Sequence, residues 1–243
     1  MLRARRPGLL AVVFISGLVT AVRAVPQNKV DDLIAKNLEA RGGLERLQAV
    51  TTIKQVAMTT MQGADAKMTS YSKRPNMQRL ETKVNDKTVI SSFDGVTAWM
   101  LNPFMGVDRP IVLGESQADM IREQSVFDGL LPNLKVLGYT ASVEGVESSG
   151  DRSLIHLKLV SASKQVRHVY LDSATFLEAK ITIEQNQTKL EQQFLDYRDV
   201  KGLKEPFLIR MLVNGAVQSE IKVQSIEFNE KMDDALFRLP KGF

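Results

Sequence analysis

The chain has no cysteine among its 243 residues. Disulfides therefore hold nothing together, and an exported domain of this length can bury enough apolar surface to do without them. A lipid attached to a cysteine near the leader is excluded for the same reason. Histidine is nearly absent too, with only His156 and His168. Two imidazoles without a third ligand make a weak metal site, so no metal is expected; the pair reads as an exposed cross-strand contact. Also missing are a nucleophile elbow, a zincin helix, a phosphate-cradling glycine loop and a dinucleotide fingerprint. The adjacent acids Asp31-Asp32 read as helix-start charge, and Asp233-Asp234 as the opening of a final turn. No catalytic residue and no cofactor is nominated, and the chain is read as a non-enzyme. A hydrolase built on carboxylates alone would leave little trace and is the weakest alternative.

A dominant charge sign is missing as well, once the first residues are set apart. Arg3, Arg5 and Arg6 precede an apolar run over 8–22, and Val22-Arg23-Ala24 offers a cleavage site. Fifteen helical residues reach only about 22 Å, short of a hydrocarbon core of about 30 Å. Residues 1–24 are thus expected to be a cleaved signal peptide, and 25–243 one exported, periplasmic domain. The leader holds four arginines and no acid, so of 32 basic and 28 acidic residues the mature chain keeps 28 of each. A neutral chain gives no basic footprint for nucleic acid.

What the sequence has in quantity is short alternating apolar segments with turn residues between them. From 166 to 228 they read VRHVYLD, LEAKITIEQ, KLEQQFLDYRDV, EPFLIRMLVNG and AVQSEIKVQSIEF, interrupted at Asp172-Ser173, Gln187-Thr188, Lys201-Gly202 and Asn214-Gly215. That spacing is an antiparallel meander. Ala179, Ile181 and Ile183 are expected on one face, and Lys180, Thr182 and Glu184 on the other. Residues 51–101 repeat the pattern in about five strands, and 135–144 and 152–160 continue it. Ile155, Leu157 and Leu159 mark the dry face of their strand, which puts His156 on the wet one. The fold class expected is mainly β with helices (α+β): one large curved antiparallel sheet, a half-open barrel with helices over its concave face.

Two helices are predicted to supply that cover. Val30, Leu33, Ile34 and Leu38 recur at helical spacing over 29–41, with Asn28 as N-cap and Gly42-Gly43 as the stop. Residues 102–114 read as a loop containing Pro103 and Pro110. Residues 115–131 then read as a helix closed by Pro132, lying across the sheet as a lid. The last turn, 231–240, is expected to tuck Leu236 and Phe237 under the final strand.

Methionine is the positive signal for function. Met58, Met61, Met68, Met77, Met100, Met105 and Met120 cluster in the first sheet segment and the lid region, beside Trp99, Leu101 and Phe104. Met packs adaptably against variable apolar partners. Ordinary core packing explains such a set too; the alternative is a cavity for acyl chains. The residues expected to line it are Met58, Trp99, Leu101, Phe104, Met105, Met120, Phe127, Ile181 and Ile183.

Four segments, in order, carry a resemblance: LIAKNLEARGGLERLQAV after the leader, FDGVTAWMLNP, YLDSATFLEAKI and the closing DDALFRLP. Together they resemble the LolA-like proteins that sort lipoproteins to the outer membrane, over most of residues 28–240, and look most like the family's divergent members. The resemblance implies an incomplete β-barrel holding lipid or lipoprotein acyl chains, no cofactor, and inner- and outer-membrane handover proteins as partners. It also implies an arginine on an early strand that latches the lid; Arg74 and Arg79 are the counterparts available, and no motif chooses between them. The function read from the chain is therefore a periplasmic, monomeric lipid or lipoprotein-acyl carrier. A lipid-sensing or interaction domain on the same scaffold, signalling to a membrane partner, is the alternative.

Overall fold

The computed structural model describes residues 27–61 and 63–241. The signal-peptide expectation for residues 1–24 lies outside the described residues. Thirteen strands form one antiparallel sheet: β1 Thr52–Met61, β2 Ala64–Lys73, β3 Met77–Val84, β4 Lys87–Phe93, β5 Ala98–Asn102, β6 Val107–Val112, β7 Thr140–Ser149, β8 Arg152–Val160, β9 Val166–Asp172, β10 Glu178–Gln185, β11 Thr188–Val200, β12 Leu203–Val213 and β13 Ala216–Phe228. Their spatial order is β6-β5-β4-β3-β2-β1-β13-β12-β11-β10-β9-β8-β7. Each half is a hairpin meander, and the halves join where the first strand pairs with the last, Ile53 opposite Phe228. The sheet does not close. Its free edges, β6 and β7, are consecutive in the chain, and residues 113–139 cross between them.

Hairpin chemistry explains the close spacing. Asn214 and Gly215 both take positive φ, 49° and 81°, as do Lys201 and Gly202 at 53° and 85°, the backbone that two-residue turns between twisted strands require. Gly42 carries a second constraint. A Cβ built there would lie 2.2 Å from the Gly202 carbonyl oxygen, so this turn can approach the β11–β12 turn only without a side chain.

Register assigns every strand residue to a face. The helix-bearing inner face holds three apolar clusters in sequence across the sheet. Phe93 and Ala98 pack with Ala118 and Ile121 of helix α3, Glu115–Gln124. Ala57, Val223, Ile226 and Phe228 pack with Leu47 of the short helix α2, Leu44–Ala49, and with Phe127. Leu157, Leu159, Val169 and Leu171 pack with Leu131 and Leu134 of the crossing segment and with Leu33 and Ile34 of helix α1, Gln27–Ala40. The half-open, helix-covered sheet expected from the sequence is therefore what forms.

Several local expectations change. Helix α1 begins at Gln27, so Asn28 falls inside it instead of capping it. The 102–114 loop contains a 3₁₀ turn at Pro103–Met105 and the edge strand β6. Pro110 is tolerated there because one side of an edge strand needs no ladder donor. Helix α3 stops at Gln124, well short of residue 131: the Ser125 hydroxyl donates to the Arg122 carbonyl at 2.7 Å, and Gly129 adopts φ 87°. The strand predicted over 135–144 begins at Thr140. Ala179 leaves the Ile181 and Ile183 face because the register shifts between Glu178 and Lys180, and it packs with Leu154 and Tyr170 instead.

The tail behaves differently from expectation too. Residues 229–240 form a strap over the outer face of the N-terminal half of the sheet. Thr52 Oγ1 donates to the Glu230 carbonyl at 2.7 Å, Lys73 Nζ to that of Met232 at 2.8 Å, and Arg79 Nη1 to that of Leu236 at 3.1 Å. Ser92 Oγ and Trp99 Nε1 both donate to the Phe237 carbonyl, at 2.9 and 2.8 Å. Phe237 and Trp99 are fully buried. The tail thus tucks over β4 and β5, not under the final strand.

Candidate functional site

On the inner face, where β1–β3 meet β12 and β13, the apolar clusters leave a hollow of about 140 Å³ lined by Gln55, Ala57, Met68, Ser70, Leu80, Ile209 and Ile221. Five of these side chains are apolar and two, Gln55 and Ser70, are uncharged and polar, the composition of a site that takes an apolar ligand. Its volume equals only four or five waters at about 30 Å³ each. Its walls are contributed by the sheet strands β1, β2, β3, β12 and β13.

The cover is residues 113–139, held at two charged points. Arg74, directly after β2, makes the first. Its Nε donates to the Val50 carbonyl at 2.7 Å and its Nη2 to that of Leu47 at 2.9 Å, while both terminal nitrogens grip the Asp128 carboxylate, Nη1 to Oδ2 at 2.9 Å. The guanidinium also lies over the Phe127 ring, 4.3 Å from its centroid. Arg41 adds a bond from Nη1 to the Asp128 carbonyl at 2.9 Å. A planar fork that satisfies two carbonyls and a carboxylate together is something lysine cannot reproduce.

The second point is Glu123 at the end of α3. Its carboxylate pairs with Arg167, an inner-face residue of β9, and accepts the Tyr139 hydroxyl proton at 2.6 Å. Burial, reinforced by that bond, pushes the Tyr139 hydroxyl up to about 12. Arg167 Nε is buried without a partner, so this contact is less complete than the Arg74 fork.

A third polar group lies near the end of α1. Tyr197 donates its hydroxyl to the Glu178 carbonyl at 2.9 Å. Desolvation pushes the Glu178 and Glu205 carboxyls up, opposed by Arg41 and, for Glu205, reinforced by the Glu178 charge. A raised folded-state pKa means the stability these groups contribute is present below the ordinary carboxylate range and lost as pH rises through the folded value. Glu205→Gln should accordingly raise the melting temperature at pH 7 by several degrees, about 1–2 kcal/mol. The gain should shrink towards pH 4. Equal melting temperatures at pH 7 would show that the charge is already well compensated.

The residues predicted to line a cavity do not all converge. Phe127 packs on the central inner cluster and Ile181 on the one beside it, while Ile183 faces inward opposite Leu190. Trp99 and Leu101 face outward, because α3 covers Phe93 and Ala98 and strand alternation sends the next residue to the other side. Met58 also points outward, opposite Lys67 and Lys222. Phe104 lies under the Lys87 ammonium, 5.4 Å from its ring centroid. Met105 and Met120 are exposed, at 73% and 60%. Sequence reasoning did not assign Leu80, Ile209, Ile221, Asp128 or the Glu123–Arg167 pair to the site. Asp128-Gly129, a turn signal inside the predicted lid helix, was the available hint.

No protein-family model matches the chain, and no curated protein matches it in sequence. Solved structures do match in shape. A LolA superfamily protein from Nitrosomonas europaea superposes with a TM-score of 0.59 at 15% identity, covering 86% of this chain and 97% of that one. A DUF1329 family protein from Desulfovibrio piger gives 0.58 at 11% identity, with the same two coverages. At such identities the likeness establishes the fold, which is LolA-like. Among the described residues no helix is long and apolar enough to cross a membrane.

Proposed function

We propose that this protein is a periplasmic carrier that takes the acyl chains of a lipid or lipoprotein into its inner face and passes them toward the outer membrane. The observation that carries this reading is the combination of an apolar hollow with a cover fastened by polar contacts. Asp128 and Glu123 fasten the crossing segment from either side of the central cluster. Such contacts can be exchanged for water when the cover lifts, and an acyl chain taken up beneath it would replace the apolar contacts that Phe127, Leu131 and Leu134 give up. The LolA-like fold supports the same reading, as do the absence of recognisable catalytic motifs and the leader-like N-terminus. An acyl chain gains about 0.8 kcal/mol for each methylene taken from water, so binding needs no polar anchor. Release would follow from handover to an acceptor that buries more of the chain.

Two measurements test this. Native mass spectrometry of the mature protein isolated from the periplasm should find co-purifying acyl lipid. A fluorescent long-chain fatty acid should bind the delipidated protein, and Ser70→Phe, which fills the hollow without adding charge, should weaken binding at least tenfold while the protein stays folded. A wild type that takes up no acyl probe, or a Ser70→Phe variant that binds equally well, would overturn the proposal.

A further inference from the structure

The outer face carries a second constellation, remote in character from the apolar hollow. His156 on β8 stands opposite Tyr170 of β9, and His168 of β9 stands opposite Lys158 of β8, so the chain's only two imidazoles sit diagonally across one strand pair. His156 Nε2 lies 2.7 Å from His168 Nδ1. On its other side His156 Nδ1 lies 2.8 Å from the Glu147 carboxylate of β7. The His156 ring stacks on Tyr170, with centroids 4.5 Å apart and planes 15° apart, and the Lys180 ammonium caps the same Tyr170 ring 4.3 Å from its centroid.

A carboxylate accepts hydrogen bonds and does not donate them, so Glu147 fixes His156 with its proton on Nδ1 and directs the Nε2 lone pair at His168. At that separation the two facing nitrogens share one proton, and a metal ion replacing it must turn both lone pairs toward itself. We propose that His156 Nε2 and His168 Nδ1 form a two-imidazole binding site for a borderline divalent transition-metal ion, Cu(II) most tightly and Zn(II) less so.

Geometry and donor chemistry both favour this. Metal–imidazole bonds of about 2.0–2.1 Å place two cis nitrogens about 2.9 Å apart on a square-planar ion and about 3.3 Å apart on a tetrahedral one. The observed separation needs to open least for the square-planar ion, and the general affinity order also puts Cu(II) above Zn(II). Glu147 supplies the carboxylate that commonly orients a ligating histidine through its second nitrogen. Tyr170 holds the His156 ring plane. Lys158 and Lys180 oppose a cation here, while Glu144, Glu147 and Glu184 offset them. Among the described residues no third metal-ligating side chain converges, so water completes the coordination. Hard ions such as Mg²⁺ and Ca²⁺, which require several oxygen ligands, find no converging set among the described residues.

With no cysteine in the chain and only these two histidines, the experiment is clean. The mature protein, purified without a histidine tag, is titrated with Cu(II) and with Zn(II). One ion should bind per chain, Cu(II) more tightly. Zn(II) should shift the ring-nitrogen resonances of both histidines together, and Cu(II) should give an electron paramagnetic spectrum with two nitrogen couplings. Glu147→Gln should weaken binding roughly 10–100-fold, and His156→Ala or His168→Gln should abolish the one-to-one phase. Circular dichroism without metal checks that each variant is folded. If a variant unfolds, the joint shift of the two wild-type ring signals decides alone. Absence of that shift, no saturation below millimolar metal, or full binding by a folded His156→Ala/His168→Ala double variant would overturn the site.

Discussion

Arg74→Ala should lower the melting temperature by roughly 6–12 °C, corresponding to about 3 kcal/mol in a domain of this size. The substitution takes a donor from three partners together: the Val50 carbonyl, the Asp128 carboxylate of the cover, and the Leu47 carbonyl, which keeps only the Val50 N–H at 3.3 Å. It also removes the cation stacked on Phe127, one of the side chains packed over the central inner cluster. Hydrogen exchange should report where the loss falls. Amides of residues 125–139 should exchange much faster in the variant, while those of β8 and β9 keep their protection. Arg74→Lys retains the charge but not the fork, and should recover less than half of the lost stability. Asp128→Asn, which leaves both carbonyl bonds to Arg74 intact, should cost about 1 kcal/mol and loosen only the cover. An Arg74→Ala variant with an unchanged melting temperature and unchanged exchange would mean that packing, not this arginine, holds the segment down. Faster uptake of an acyl probe by the loosened protein would tie the contact to ligand entry.

Phe237→Ala should cost about 3–5 kcal/mol, because it empties a fully buried aromatic site beside the equally buried Trp99. The expected fall in melting temperature is roughly 10 °C. A spectroscopic signature accompanies it. Trp99 Nε1 is held by the Phe237 carbonyl, and a loosened strap should admit water to the indole and shift its emission to the red. Since Trp99 lies on the outer face, an acyl ligand entering the inner hollow of the unaltered protein should leave that emission unchanged. A ligand-dependent blue shift of Trp99 would place lipid under the strap instead, and the hollow bounded by Met68, Ile209 and Ile221 would lose its standing as the acyl site. The two substitutions also separate inside from outside: Arg74→Ala should disturb the cover and spare Trp99, and Phe237→Ala the reverse.

Where sequence reasoning reached the fold, it did so through local signals. The period-two alternation of VRHVYLD and the turn at Asn214-Gly215 are properties of neighbouring residues, and β9 and the β12–β13 hairpin follow from them. The glycine pair that ends α1 was legible for the same reason. Element boundaries failed where a broad apolar pattern hid a local stop: Ser125 and the Asp128-Gly129 turn end the helix after Gln124, and Asp128 then meets Arg74. Ala179 was misplaced by a single register shift, which moves a side chain through the sheet without altering composition.

The resemblance and the alternation together reached the fold but not the facing of the residues expected to line a cavity. Trp99 and Phe104 are hydrophobic and adjacent to the cover in sequence, which is all a one-dimensional pattern can weigh. Their actual positions depend on which face α3 lies against, and alternation gives only relative parity along a strand. Absolute parity is fixed when two sheet halves, joined through β1 and β13, choose a common inside. The same holds for the histidines: the sequence put His156 on the wet face, yet only pairing with β9 and β7 brought His168 and Glu147 to its two nitrogens.

By itself the sequence determined that this is an antiparallel meander with helical cover and no thiol chemistry, because hydrophobic period, turn residues and donor inventory are encoded locally. The tertiary structure alone decided which apolar side chains surround a hollow, which arginines contact the cover, and that the C-terminal tail packs on the opposite face. Each of those is a contact between residues far apart in the chain, whose free energy depends on register and facing surfaces that no short stretch contains.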